Sequence, residues 1–284
     1  MESSASSAVS QKFKPITSNL LCSTTYALNK SNCKRATLGL EYYSGYYRAV
    51  VKICSTGSPA KYVTLDTHSW EVIKDQMEAM EAYLNNSFTF YQDFGSPAKI
   101  LLPNHDITFT NCFNARAIGI DERPTPPLPA DVPTTHNAQV DEETQQHAPE
   151  PSCKKQKKYE NPPSVVMHHQ TFAGLKQVSE LIDLRLKQLE ELSGLVNRGI
   201  DYILDYVKDD MKREESEKCR EILKNVNSFK QYYALHKLKI NELVKTNLNF
   251  ATVSVDVLDV VLLEIYSFGL TNIAKDLYDA MFSV

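Results

Sequence analysis

Glycine-rich loops, metal-ligand clusters and long uncharged apolar runs are all missing from this chain of 284 residues. Glycine occurs only nine times, and no run of it has the pattern that wraps a phosphate before a helix. The six cysteines, Cys22, Cys33, Cys54, Cys112, Cys153 and Cys219, form no CxxC pair, and no histidine stands at zinc-ligand spacing from them. That argues against a zinc module and a disulfide scaffold. The thiols are expected to be scattered and reduced, as in a cytosolic or nuclear protein. His68, His105, His168 and His169 have no nucleophile or carboxylate pair in a catalytic motif around them, and there is no HExxH. No enzyme, no metal and no cofactor are therefore expected. The chain does not open on a basic region followed by an apolar core, so no signal peptide is expected. The most apolar stretch, Val253 to Leu270, contains Asp256, Asp259 and Glu264. A charge at a bilayer centre costs about 2.5–3.5 kcal/mol, so the stretch reads as a buried helix and no membrane partner is expected. With a net charge of −4, the chain is not a wholly basic coat for duplex DNA.

Composition divides what is there into four parts. Residues 1–31 begin with Ser3, Ser4, Ser6, Ser7 and Ser10 and read as a disordered tail, too poor in apolar surface to offset its ordering entropy. Residues 32–122 read as a small β-rich domain. Thr37–Tyr43, Tyr46–Ile53 and Lys61–Leu65 are strands rich in aromatic and β-branched residues, and Ser44-Gly45 is a turn. A helix is expected from Ser69 to Leu84, capped by Asp66 or Thr67, with Trp70, Ile73, Met77, Met80 and Leu84 on one face. Further strands are expected at Ile100–Leu102, Ile107–Phe109 and Ala115–Ile120.

Residues 123–163 hold nine of the 13 prolines and a run of acids, and read as a disordered linker. Near its end, Lys154, Lys155, Lys157 and Lys158 form an accessible basic cluster of the nuclear-targeting kind. Residues 164–284 read as all-α, a bundle or coiled coil. Leu175, Ile182, Leu189, Val196 and Ile203 recur every seven residues, and a second stripe runs Ile222, Val226, Phe229, Tyr233, His236, Ile240, Leu243. A third helix is expected to stop at Gly269, with Thr271 capping a short last one. No sequence repeat stands out.

Charge is segregated along residues 11–123. Residues 11–62 hold eight basic residues against one acid, Glu41; residues 63–123 hold four basic residues against nine acids. The basic strands also carry Tyr42, Tyr43, Tyr46, Tyr47 and Tyr62. Interleaved cations and aromatics suit single-stranded nucleic acid, because cations neutralise phosphates and a flat ring stacks on any exposed base. The alternative is that these tyrosines pack a core. Period two puts neighbours on opposite faces, so one of each adjacent pair is expected inside.

Four features carry a family resemblance. Lys34-Arg35 opens the first strand, Tyr43-Ser44-Gly45 makes an aromatic-polar-glycine turn, Lys61 to Leu65 is a basic strand, and Leu65-Asp66-Thr67-His68-Ser69-Trp70 leads into the helix. The stretch from Lys34 to Leu84 resembles the positive-cofactor-four family of transcriptional coactivators, whose fold is similar to half of a whirly domain. The resemblance implies a curved antiparallel sheet followed by a helix, pairing through the helix into a dimer, with a channel for single-stranded or melted DNA. It implies that Lys34, Arg35, Tyr43 and Lys61 contact DNA and that Trp70 packs the core and the dimer. Arg48 and Lys52, one period apart on the same face, are added as candidate DNA contacts. Glu41, Ser44 and Tyr46 stand where the family has basic residues, which implies weaker and less salt-steep binding.

The expectation is thus an α+β protein: an N-terminal sheet-plus-helix domain, a linker and a helical assembly domain. Its expected function is nuclear, non-enzymatic binding of single-stranded DNA in transcription or replication. A homodimer or higher homo-oligomer is expected, with the helical part available to a protein partner. The rival is a structural or interaction protein that kept the fold without the DNA contacts. A virus or mobile element is a fitting source for either.

Overall fold

The computed structural model describes residues 20–56, 61–85, 99–123, 164–248 and 254–282. The chain is α+β. Its first sheet is β1 (Leu20–Ala27), β2 (Lys34–Tyr43), β3 (Tyr46–Ser55) and β4 (Lys61–Asp66), antiparallel and in sequence order. A helix in two segments follows, α1 (Thr67–Asp75) and α2 (Met77–Asn85). The second sheet is β5 (Lys99–Leu101), β6 (His105–Cys112), β7 (Ala115–Glu122) and β8 (Ser164–His168), again antiparallel and in sequence order. It too is followed by a two-segment helix, α3 (His169–Gln177) and α4 (Ser179–Met211). The remaining helices are α5 (Ser216–Lys224), α6 (Val226–Asn247), α7 (Val255–Glu264) and α8 (Leu270–Phe282).

The two sheet-and-helix units correspond residue by residue where strand meets helix, at a constant offset of 102 (66 to 168, 74 to 176, 81 to 183). Buried Val63, Leu65, Ser69, Trp70 and Ile73 match buried Val165, Met167, Thr171, Phe172 and Leu175. Both helices break at the same place, Gln76 (φ −92°, ψ 0°) and Val178 (φ −97°, ψ 2°). The ion pairs between the units are reciprocal: Lys74 Nζ reaches Asp183 at 2.7 Å, and Lys176 reaches Glu81. Such an i-to-j, j-to-i pattern is the mark of two-fold pairing, here made within one chain. The indole N–H of Trp70 donates to the same Asp183 at 2.7 Å, so the tryptophan is buried between the two helices.

Local chemistry explains the elements. In each sheet the central hairpin closes through a two-residue turn with left-handed backbone, Ser44-Gly45 (φ 50° and 95°) and Phe113-Asn114 (φ 52° and 59°). Turns of that hand match the twist of the strands they join. The Asp66 carboxylate caps α1, accepting from the Ser69 amide at 2.8 Å. Burial pushes that carboxyl up, but the Ser69 hydrogen bonds and the Arg48 charge outweigh it and hold the pKa below the usual value. The seven-residue stripe of α4 is fully inside: Ile182, Leu189, Val196 and Ile203 are all buried, and α4 packs against β2 and β3.

Four expectations need correction. Within the disordered tail expected over residues 1–31, Leu20–Ala27 is a strand paired with β2; its bulge after Leu21 hides the alternation. The boundary at 163 falls inside a sheet, because β8 pairs with β7 (Ile118 opposite Met167, Asp121 opposite Ser164). Residues 124–163 therefore connect neighbouring strands rather than two domains, and 164–168 is strand rather than helix. The helical part is not separate either. Asn197 of α4 bonds both backbone groups of Tyr47, Tyr42 donates to Asp276 of α8, and one core cluster spans both sheets and the helices. Finally, Gly269 does not stop a helix, and Thr271 caps none. A π turn over Ile265–Gly269 carries α7 on into α8. By length and composition the run Asp256–Phe282 could cross a bilayer; Leu258, Val261, Ile265, Ile273 and Leu277 along it are buried in the protein.

Candidate nucleic-acid interface

Strand register sorts the first sheet into two faces. Ala36, Leu38, Leu40, Ala49, Val51, Ile53, Val63 and Leu65 lie on the core face. The opposite face carries Arg35, Thr37, Glu41 and Tyr43 from β2, Tyr46, Arg48, Val50, Lys52 and Cys54 from β3, and Tyr62 and Thr64 from β4. The tyrosine pairs split as period two requires. Tyr42 and Tyr47 face the core, where burial raises both phenol pKa values, helped at Tyr42 by its bond to Asp276. Tyr43 and Tyr46 face outward.

The centre of this outer face is closed and its rim is open. Thr37, Val50, Lys52 and Cys54 are buried, whereas Tyr43, Tyr46 and Tyr62 are 51%, 47% and 39% exposed. Glu41 organises the cations: its Oε1 lies 2.8 Å from Lys52 Nζ and its Oε2 lies 3.3 Å from Arg48 Nη2. Each cation also meets a ring. Arg48 Cζ sits 3.9 Å from the Tyr43 centroid and Lys52 Nζ 5.5 Å from that of Tyr62. Tyr43 and Tyr46 meet edge to face at 6.4 Å. The result is a line of three charges closed by a ring at each end, Tyr43, Arg48, Glu41, Lys52, Tyr62, running from β2 across to β4.

Of the six candidate residues, Arg35, Tyr43, Arg48 and Lys52 share this face. Lys34 and Lys61 do not; they stand opposite Ser55 in the register of the core face, at the end of the sheet away from the hairpin. Burial holds the Lys34 ammonium below its ordinary pKa, and the Lys61 charge adds to that. Lys52 is brought to the face but is only 7% exposed and already paired, so it is an internal cation rather than an open phosphate contact. Arg35 is turned to Asn32, whose side chain accepts from its Nε at 2.8 Å. Lys154, Lys155, Lys157 and Lys158 lie outside the described residues.

The sequence reading missed Phe113. It sits at the tip of the β6–β7 hairpin, 92% exposed and at φ 52°. A bulky residue there is an outlier. The signal available was a two-residue turn ending in Asn between strand-like segments. Among the described residues no group of His, Cys, Asp and Glu could hold a metal ion. In comparisons with known proteins, no family model and no curated protein matches the chain.

Proposed function

We propose that the chain binds single-stranded or melted DNA, without catalysis, over the outer face of the first sheet. One observation carries the reading: three part-exposed tyrosines, Tyr43, Tyr46 and Tyr62, rim the same face as Arg35 and Arg48. Bases stack on the rings, and Arg48, fixed over Tyr43, meets phosphate at the hairpin end. Lys34 and Lys61 extend the path around the far end of the sheet. The resemblance to the positive-cofactor-four family supports this reading. The pairing that family makes between two chains is, in this proposal, supplied here by the two units of one chain, and a homodimer is no longer required. The lysine cluster at 154–158 would direct the protein to the nucleus.

A second reading has its own observation. Glu41 neutralises the two central cations, and Lys52 is buried, which suits an interaction protein that kept the fold and lost the ligand. Fluorescence anisotropy of the full chain with a labelled single-stranded oligonucleotide, titrated across salt, separates the two. Strand binding with few cations gives a shallow slope of log K on log salt, about −0.7 per phosphate neutralised. The interaction-protein reading gives no binding at low salt.

A further inference from the structure

Phe113 is held where a bulky side chain is disfavoured. It takes the first position of the β6–β7 turn at φ 52°, with Asn114 after it at φ 59°. A two-residue turn of that hand favours asparagine and glycine. Packing does not offset the strain, because the ring is 92% exposed, the most open of the large apolar side chains among the described residues. Strain that the fold does not use points to a role outside folding.

The two hairpins differ in where they carry their rings. In the first unit the turn is Ser44-Gly45, and Tyr43 and Tyr46 flank it. In the second, Cys112 and Ala115 flank the turn and the ring stands inside it. Each hairpin thus presents an open aromatic surface at its tip.

The second tip lies at the lysine end of the first sheet. Lys34 and Lys61 stand there, both opposite Ser55. Cys112, the neighbour of Phe113, is within electrostatic reach of Lys34. Ala115, its partner across the turn, lines a cleft together with Lys30 of the β1–β2 loop. Lys30 and Lys61 are exposed and Lys34 is half-buried. None of the three makes an ion pair among the described residues. Open cations beside an open ring suit a single strand, whose phosphates take the lysines while an unstacked base takes the ring.

We propose that the strand bound over the first sheet continues past Lys34 and Lys61 onto the second unit and stacks a base on Phe113. The proposal rests on the strand-binding reading of the outer face and lengthens its track beyond β2, which alone spans about 30 Å from Tyr43 to Lys34.

The test is fluorescence anisotropy of the full chain at low salt with a labelled single strand of about 20 nucleotides, longer than one module covers. Phe113→Asn and Phe113→Trp are measured beside Tyr43→Ala. Asparagine suits the turn, so Phe113→Asn should unfold at a midpoint no lower than the parent chain's and bind the strand at least fivefold more weakly. Phe113→Trp keeps a ring and should hold the affinity within about twofold. Its open indole should lose emission as strand is added, a change that Trp70, 1% exposed, does not make. Unchanged affinity in Phe113→Asn overturns the extension; if Tyr43→Ala still weakens binding, the outer face stands without it. Unchanged affinity in Tyr43→Ala, or no strand binding by the parent chain, overturns the reading on which the extension rests.

Discussion

Glu41 sits between Arg48 and Lys52 with ion-pair distances of 3.3 and 2.8 Å, so the central cations of the outer face already have a counter-charge. Removing one partner of a largely buried pair leaves the other charge uncompensated, at a cost of about 3 kcal/mol. Glu41→Gln should therefore lower stability by about that much in a urea titration. At the same time it should raise affinity for a single strand and steepen the salt dependence, because Arg48 is released. His105 gives a pH test. It is buried, and its Nε2 lies 2.9 Å from the Thr64 carbonyl. Burial pushes its pKa below the ordinary value, against the pull of Glu122, Asp66 and Asp106. Below about pH 6.5 the unfolded chain takes up a proton that the folded one refuses. Stability contributed by this residue is present above that pH and is lost as pH falls toward the lowered folded pKa. The unfolding midpoint should drop across that range, and His105→Gln should flatten the drop. Residue types on the face could be read beforehand, since alternation separates Tyr42 from Tyr43 and Tyr46 from Tyr47. That Lys52 would be buried could not, because burial depends on Glu41 lying diagonally across the β2–β3 pair.

Two glycines in the long helices should respond with opposite sign. A Cβ on Gly174 would lie 2.0 Å from the Leu28 carbonyl oxygen, because α3 runs directly against the end of β1. Backbone cannot retreat cheaply, so Gly174→Ala should cost about 3 kcal/mol or more. A Cβ on Gly194 would meet nothing within 4 Å, and Gly194→Ala should stabilise by about 0.5–1 kcal/mol through helix propensity. Chemical denaturation of both variants checks the pair. Among elements, α4 was legible because Ile182, Leu189, Val196 and Ile203 keep one strict period. The stop at Gly269 was not. Apolar residues on both sides, Ile265 and Ile273, remain buried, and the helix absorbs the change of face through a π turn instead of ending. In α6 the buried stripe is Phe229, Tyr233, Ile240 and Val244, so His236 stands half-exposed beside Tyr206 and Tyr232 rather than inside a seam.

The two-unit architecture itself was hidden for a physical reason. What the units share is shape at buried positions, Trp70 with Phe172 and Ile73 with Leu175, rather than identity. Their hairpin turns and their helices also stand at different offsets, because the connection from β7 to β8 is far longer than that from β3 to β4. Since Asp121 and Ser164 are partners in the sheet, a short turn can replace residues 124–163. Shortening a connection of about 40 residues to about five removes roughly 2 kcal/mol of closure entropy. The shortened chain should fold and unfold in one transition at a midpoint no lower than the full chain, as read by calorimetry. A fragment ending at residue 122 lacks β8, α3 and α4 and should not fold alone.

Strand binding over the outer face is most directly tested by measuring the affinity of the full chain for one single-stranded oligonucleotide at low salt, beside Tyr43→Ala and Tyr46→Ala. Both side chains are about half exposed, so the variants should remain folded. Stacking contributes about 1–3 kcal/mol per base, so each variant should weaken binding by roughly 5- to 150-fold while circular dichroism stays unchanged. Equal affinity in all three proteins, or no binding by any of them, would contradict the assignment of this face to nucleic acid.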